Sequence, residues 1–82
     1  GPAVIDVARL VRLIKKREKG KEAPVTVNRA LLVELGLVNK RYLGAIKILG
    51  KANVDIALNF FDGIKASKNV TMEVEKAGGK IK

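Results

Sequence analysis

The chain contains neither cysteine nor histidine, which excludes disulfide bridges, zinc-finger ligands, thiol nucleophiles and the usual proton shuttle at neutral pH. Its 82 residues are enough for only one domain. Because 48% of the residues are hydrophobic, the composition is that of a folded protein and not of a disordered tail. We therefore expect a single domain over residues 3–82, held by an apolar core, and interpret Gly1-Pro2 as a protease scar from an expression tag.

The charge balance restricts the class of partner. Seventeen Lys and Arg stand against 8 Asp and Glu, giving a net charge of +9, and a small surface with this excess attracts a polyanion. Nucleic acid is therefore the expected partner. No apolar run approaches the roughly 20 residues that cross a bilayer, and the start lacks a signal-peptide pattern. We expect no membrane partner and a cytoplasmic, nuclear or organellar interior.

Apolar residues recur with helical period at the start of the chain and predict an amphipathic helix from Ala3 to Lys19. The apolar stripe consists of Ala3, Val4, Val7, Ala8, Leu10, Val11 and Ile14. The opposite face carries Arg9, Arg12, Lys16 and Lys19. Because Gly20 is a natural stop and a helix C-terminus favours cations, we expect a strongly basic helix end.

Shorter elements follow a loop at residues 20–24. The run 27–35 predicts a short helix capped by Thr26 or Asn28. A β-branched run at 45–49 predicts a strand that ends at Gly50, and a second strand is predicted over 54–61.

The last third of the chain predicts a turn, a helix and a short strand. Asp62-Gly63 is a turn dipeptide, and either Ser67 or Asn69 can cap the final helix. The buried stripe of this helix is Val70, Val74 and Ala77. Gly78-Gly79 ends the helix and residues 80–82 could add a terminal strand. The order helix, helix, strand, strand, helix predicts a small α/β domain.

Three short motifs carry a resemblance to a known family. They are Leu32-Val33-Glu34-Leu35-Gly36-Leu37-Val38, then Lys47-Ile48-Leu49-Gly50, then a Ser-capped helix followed by Glu75-Lys76-Ala77-Gly78-Gly79-Lys80-Ile81. In order and spacing, from about Pro24 to Lys82, they resemble the C-terminal globular domain of the ribosomal L-fifteen and L-eighteen-e superfamily.

The resemblance implies an irregular winding of β-β-α units and a non-catalytic role in holding segments of large-subunit ribosomal RNA together, beside neighbouring ribosomal proteins. Two positions depart from the family pattern: Ala66, where an aromatic or branched residue is usual, and Val70, where a small one is usual. Family members also carry a Gly/Arg/Lys-rich N-terminal extension, which these 82 residues do not include.

Clustered cations are the candidate RNA contacts, because neutralising phosphates with release of counterions supplies most of the affinity for RNA. The first cluster is Lys15, Lys16, Arg17, Lys19 and Lys21; the second is Asn39, Lys40, Arg41, Lys47 and Lys51; the third is Lys65, Ser67, Lys68 and Asn69. The third cluster has the strongest chemical argument for phosphate binding, because a helix N-terminus presents unpaired amides to a phosphate. Tyr42, beside Lys40 and Arg41, is a further candidate.

Each candidate has a purely structural alternative. Single lysines and arginines often only keep a surface solvated, and Ser67 and Asn69 are more often plain helix caps. Gly50 and Gly78 either only permit a positive φ or also let RNA approach the backbone. Of the adjacent Phe60 and Phe61, we expect one in the core and favour packing over base stacking for both.

The carboxylates do not form a catalytic pattern. Asp55, Asp62 and the pair Glu73 with Glu75 have no accompanying base, nucleophile or metal cluster, and the pair diverges on a helix. We therefore expect no enzyme activity, no cofactor, no metal and no small-molecule substrate.

Two alternative functions remain open from the sequence. The first is a free-standing nucleic-acid-binding module that lays the basic face of its first helix along a groove. The second is a protein-interaction module whose first helix packs its apolar stripe on a partner, since that helix precedes the motifs of the resemblance.

Overall fold

The computed structural model describes residues 1–19 and 24–82. Its elements, in chain order, are β1 (Ala3–Asp6), α1 (Val7–Arg17), β2 (Val25–Val27), α2 (Arg29–Glu34), β3 (Ile46–Leu49), β4 (Leu58–Phe60), β5 (Lys65–Ala66), α3 (Lys68–Lys76) and β6 (Lys80–Ile81).

Successive strands alternate between two sheets. Within the described ranges, sheet A has the order β1-β3-β5 and sheet B the order β2-β4-β6, and every pairing is parallel. The chain therefore winds three times from sheet A to sheet B. Helix α1 lies in the first crossing and α3 in the third, whereas a loop makes the second. This confirms the α/β class and an irregular winding of strands and helices.

The helix predicted from Ala3 begins only at Val7, because Ala3–Asp6 is a strand. Residues Ala3 to Asp6 pair with Ile46 to Leu49 of β3. The Asp6 carboxylate then accepts a hydrogen bond from the Arg9 amide at 3.1 Å, which caps the helix. Ala3 and Val4 fit the helical period only by coincidence, and Val4 is 59% exposed.

The apolar stripe of α1 belongs to the core of the domain. Val7, Leu10, Val11 and Ile14 are all buried, as predicted, whereas Ala8 is exposed. These four residues pack in one cluster with apolar residues of both sheets and of the other helices. The hypothesis that this stripe docks on a partner protein is therefore wrong.

The second helix is shorter than predicted. Val27 ends strand β2, and α2 begins at Arg29. Asn28 is its cap, because the Asn28 Oδ1 accepts from the Leu31 amide at 2.9 Å. The predicted strand over 54–61 is reduced to Leu58–Phe60, since sheet B offers partners only to those residues.

The end of the chain follows the sequence more closely. Ser67, not Asn69, caps α3, and the terminal strand is present as Lys80–Ile81. Asp62 and Gly63 form the predicted turn, with φ values of 57° and 70°. Strand β5 was not predicted, because its two residues are too few to show a period and are extended through pairing with β3.

The core is apolar throughout the described residues, where the structure has no buried polar or charged side chain. Phe60 is fully buried in this core, and Phe61 is half-buried. Both outcomes confirm the prediction that one of the adjacent phenylalanines packs in the core.

The two glycines after α3 have different functions. Gly78 has a φ of 90° and ends the helix, while Gly79 is buried against β4. A Cβ at Gly79 would overlap the Leu58 carbonyl oxygen and backbone nitrogen. The return of the chain from α3 to sheet B therefore requires the absence of a side chain at this point.

Gly79→Ala should lower the free energy of unfolding by about 3 kcal/mol or more, because two backbones would have to separate. Gly78→Ala is the matched control. Its Cβ would meet only the Ala57 side chain at 3.9 Å, so it should cost about 1 kcal/mol for the left-handed backbone. Urea unfolding of both variants measures the difference, and equal costs would contradict this account of the close approach.

Candidate nucleic-acid interface

One face of sheet A is covered by the core and the other is open. Ile5, Ile46 and Ile48 point into the core, and the residues between them point outward because side chains alternate along a strand. Among the outward residues, Lys47 of β3 has two register partners, which are Val4 of β1 on one side and Lys65 of β5 on the other. They therefore form one row on the open face, and all three are exposed.

The start of α3 lies beside the end of β3. The Ser67 amide donates to the Ile48 carbonyl at 3.0 Å, and the Asn69 Nδ2 donates to the Gly50 carbonyl at 3.3 Å. The structure thus joins Lys47 and Lys51 of the second cluster to the third cluster. We call the joined surface the basic face; it consists of Lys47, Lys51, Lys65, Ser67, Lys68 and Asn69.

The lysines of the basic face carry no ion pair to any carboxylate among residues 1–19 and 24–82. A shallow depression of about 500 Å³ adjoins it. It is lined by Lys51, Ala52, Asn53, Asn69, Glu73 and Lys76. Glu73 there lies 3.8 Å from the Lys76 ammonium. The basic face is therefore available to an external anion.

The polar groups at the start of α3 are used within the domain. The Ser67 Oγ accepts from the Val70 amide at 3.3 Å, which confirms Ser67 as the cap. Gly50 has a φ of 104°, and a Cβ there would lie 2.5 Å from an Asp6 carboxylate oxygen. Gly50 and Gly78 both have the expected positive φ, and a close approach of RNA to either backbone stays a prediction. A phosphate at Ser67, Lys68 and Asn69 stays a prediction.

The first cluster is partly neutralised by the chain's own carboxylates. The Lys15 ammonium lies 2.7 Å from the Asp55 carboxylate, and Arg17 forms an ion pair with Glu34. Lys16 and Lys19 are exposed and have no such pair within the described part of the chain. Lys21 lies outside the described residues. The number of cations in this cluster is therefore larger than the number without a carboxylate partner, and contact between the cluster and RNA stays a prediction.

The hydrogen bond from Lys15, aided by the charge of its ammonium, lowers the pKa of the Asp55 carboxyl below its ordinary value, although partial desolvation opposes this. Since the folded-state pKa is the lower one, the contribution of this pair to stability is present above the ordinary carboxyl pKa. It is lost as the pH falls through the folded-state pKa.

The remaining members of the second cluster, Asn39, Lys40 and Arg41, lie in the loop before β3. We call residues 39–45 the braced loop. The Arg29 guanidinium donates to the carbonyls of Tyr42 and Gly44, both at 2.8 Å. The Tyr42 hydroxyl accepts from the Ala3 amide at 3.0 Å and donates to the Ala45 carbonyl at 2.6 Å. The hydroxyl of Tyr42 is thus engaged inside the domain, and a contact between this residue and RNA stays a prediction.

This loop presents Lys40 and Arg41 to solvent, and the Asn39 Oδ1 accepts from the Arg41 amide at 2.8 Å. It meets sheet A where β1 and β3 begin, whereas Lys51 follows the end of β3. The second cluster is therefore divided between the two ends of that strand. Sequence reasoning missed Arg29, because its partners are carbonyls that leave no signal in the sequence, and it missed Leu43, which is 83% exposed.

The model of one ribosomal family matches residues 4–82; its description names the 50S proteins L-fifteen and L-eighteen-e and the 60S protein L-twenty-seven-A. The chain belongs to this ribosomal family. The match begins within β1 and includes α1, so the family's domain starts earlier than the resemblance from Pro24 implied. A comparison with curated proteins found no match.

Membership in the ribosomal family confirms that the chain has a structural role in the ribosome and is not an enzyme. Within residues 1–19 and 24–82, the structure holds no cluster of three or more carboxylate, His or Cys groups that could bind a metal ion. In the same ranges no helix is long and apolar enough to cross a bilayer.

Lys15→Ala should raise the pKa of Asp55 toward its ordinary value, because the hydrogen bond that lowers it is removed. Lys16→Ala is the matched control, since Lys16 is the next residue and contacts no described carboxylate. Titration of the Asp55 carboxyl carbon by NMR measures both. An Asp55 pKa unchanged by Lys15→Ala would show that the ion pair does not form in solution.

Proposed function

We propose that the chain is a structural component of the large ribosomal subunit that binds and stabilises folded ribosomal RNA. The observation that supports this most directly is the basic face, where lysines from β3, the following loop, β5 and α3 lie on neighbouring segments and form no ion pair with a carboxylate among the described residues. Family membership supports the ribosomal setting.

The contacts are expected to be made with phosphates and not with base edges. Lysine is a mobile point charge that neutralises a phosphate without reading sequence. Aromatic stacking platforms, which read unpaired bases, need several exposed rings, whereas Phe60 is buried and Tyr42 and Phe61 are half-buried. Recognition would then depend on the shape of the folded RNA and the placement of its phosphates.

The other exposed cations of the predicted site add contacts at the edges of this surface. Lys40 and Arg41 reach out from the braced loop, and Lys16 and Lys19 from the end of α1. Lys15 and Arg17 contribute less, because each already faces a carboxylate. Neighbouring ribosomal proteins are the other expected partners. We place the protein in the cytoplasmic ribosome, with an organellar ribosome as the alternative.

Replacing Lys51 and Lys68 together by Gln should weaken binding to large-subunit ribosomal RNA and reduce the slope of log affinity against log salt by about 1.5, because two phosphate contacts are lost. The matched control, Lys15→Gln with Arg17→Gln, removes the same net charge from ion-paired positions and should change the slope much less. Equilibrium binding over a salt series measures both.

Transfer RNA and duplex DNA serve as competitors in the same experiment. Displacement of ribosomal RNA only by a large excess of either competitor supports the ribosomal function. Equal binding of the unaltered protein to ribosomal RNA and duplex DNA would contradict it and favour a free-standing nucleic-acid-binding module.

A further inference from the structure

Lys47 and Lys65 are direct register partners on neighbouring parallel strands. Register partners in a parallel pair point to the same side of the sheet, and neighbouring strands lie about 4.8 Å apart. Both lysines are exposed on the open face of sheet A. The side chains of Lys47 and Lys65 therefore extend side by side from two strands whose spacing is fixed by the sheet.

This arrangement is unfavourable in the isolated domain. Like charges directly opposite one another across strands destabilise a sheet. Neither lysine forms an ion pair with any carboxylate in the part of the chain that the structure describes. The nearest acidic position in the register is Asp6, in the next outward row, and its carboxylate already caps α1.

The face around the pair is also uncovered. Sheets made only of parallel strands are generally covered on both faces, whereas on this outer face Val4, in the same row as the lysines, is 59% exposed. An occupant that carries negative charge and also offers some apolar surface would relieve both the repulsion and the exposure. A nucleic-acid backbone, with its phosphates and sugars, has both properties.

We propose that Lys47 and Lys65 together clasp one phosphate of the RNA backbone, with Val4 against the adjoining sugar. This phosphate clasp rests on the proposed function and assigns it one defined subsite. The repulsion between the two ammonium groups in the free domain is replaced in the complex by two attractions to the same anion. The pair of lysines therefore lowers the stability of the free domain and raises its affinity for RNA.

A double-mutant cycle tests whether the two lysines share one phosphate. Lys47→Gln and Lys65→Gln should each weaken ribosomal RNA binding about tenfold, as expected for loss of a charge-assisted contact. The double variant should lose much less than the hundredfold product, because the second substitution acts on a clasp that is already open. Losses that multiply would mean two separate contacts and would overturn the clasp.

Unfolding of the free domain provides a second measurement that needs no RNA. Lys65→Glu should raise the urea midpoint, because it converts a repelling pair into an attracting one. Lys80→Glu is the matched control: Lys80 also lies in a two-residue parallel strand at a sheet edge, but its register partner is the neutral Asn59. Both variants change the net charge equally, so their difference reports the local pair.

The expected result is a larger gain in midpoint and a larger loss of RNA affinity for Lys65→Glu than for Lys80→Glu. Equal effects of the two variants on both quantities would overturn the clasp. So would RNA binding unaffected by any Lys47 or Lys65 variant, which would assign this face to an acidic protein surface instead. Failure of the unaltered protein to prefer ribosomal RNA would count against the proposed function itself, a result separate from any of these.

Discussion

The parallel pairing of alternate strands is the constraint on which the rest of the structure depends. Parallel neighbours cannot be joined by a tight hairpin, so each parallel pair needs a crossover connection, and in this chain every such connection passes through a strand of the other sheet. These crossings place α1 and α3 over the core and bring β1, at the start, and β6, at the end, into separate sheets. The same pairing demands the close approach of Gly79 to the Leu58 backbone, because the last strand must return beside β4.

The charge distribution follows from this winding. Strand β3 is the middle strand of sheet A, so Lys47 necessarily has a neighbour on each side. The winding makes that neighbour Lys65 on one side and Val4 on the other. It also places the start of α3 beside Gly50. Residues far apart in the sequence therefore become one surface. Conversely, the crossing through α1 carries Lys15 and Arg17 to carboxylates of later segments.

Local chemistry could be predicted from the sequence wherever a few adjacent residues decide it. The Ser67 cap, the Asp62-Gly63 turn and the buried stripe at Val70 and Val74 depend on short-range hydrogen bonds or on helical period. Strand β1 could not be predicted, because Ala3 and Val4 fit the helical period and are extended only through pairing with β3. The same limit applied to the site: the lysines were identifiable, but their grouping depended on strand register.

The contrast between the first cluster and the basic face shows why the number of cations in a segment is a weak guide to binding. The end of α1 is the densest run of positive charge, yet two of its members are already paired with carboxylates. Replacing those carboxylates by phosphates would gain little binding free energy, because the loss of the ion pairs offsets the new contacts. The lysines of the basic face have no carboxylate partner among the described residues to give up, and a bound phosphate would offset the repulsion between Lys47 and Lys65. The gain on binding a polyanion is therefore larger where the free domain leaves its cations unsatisfied.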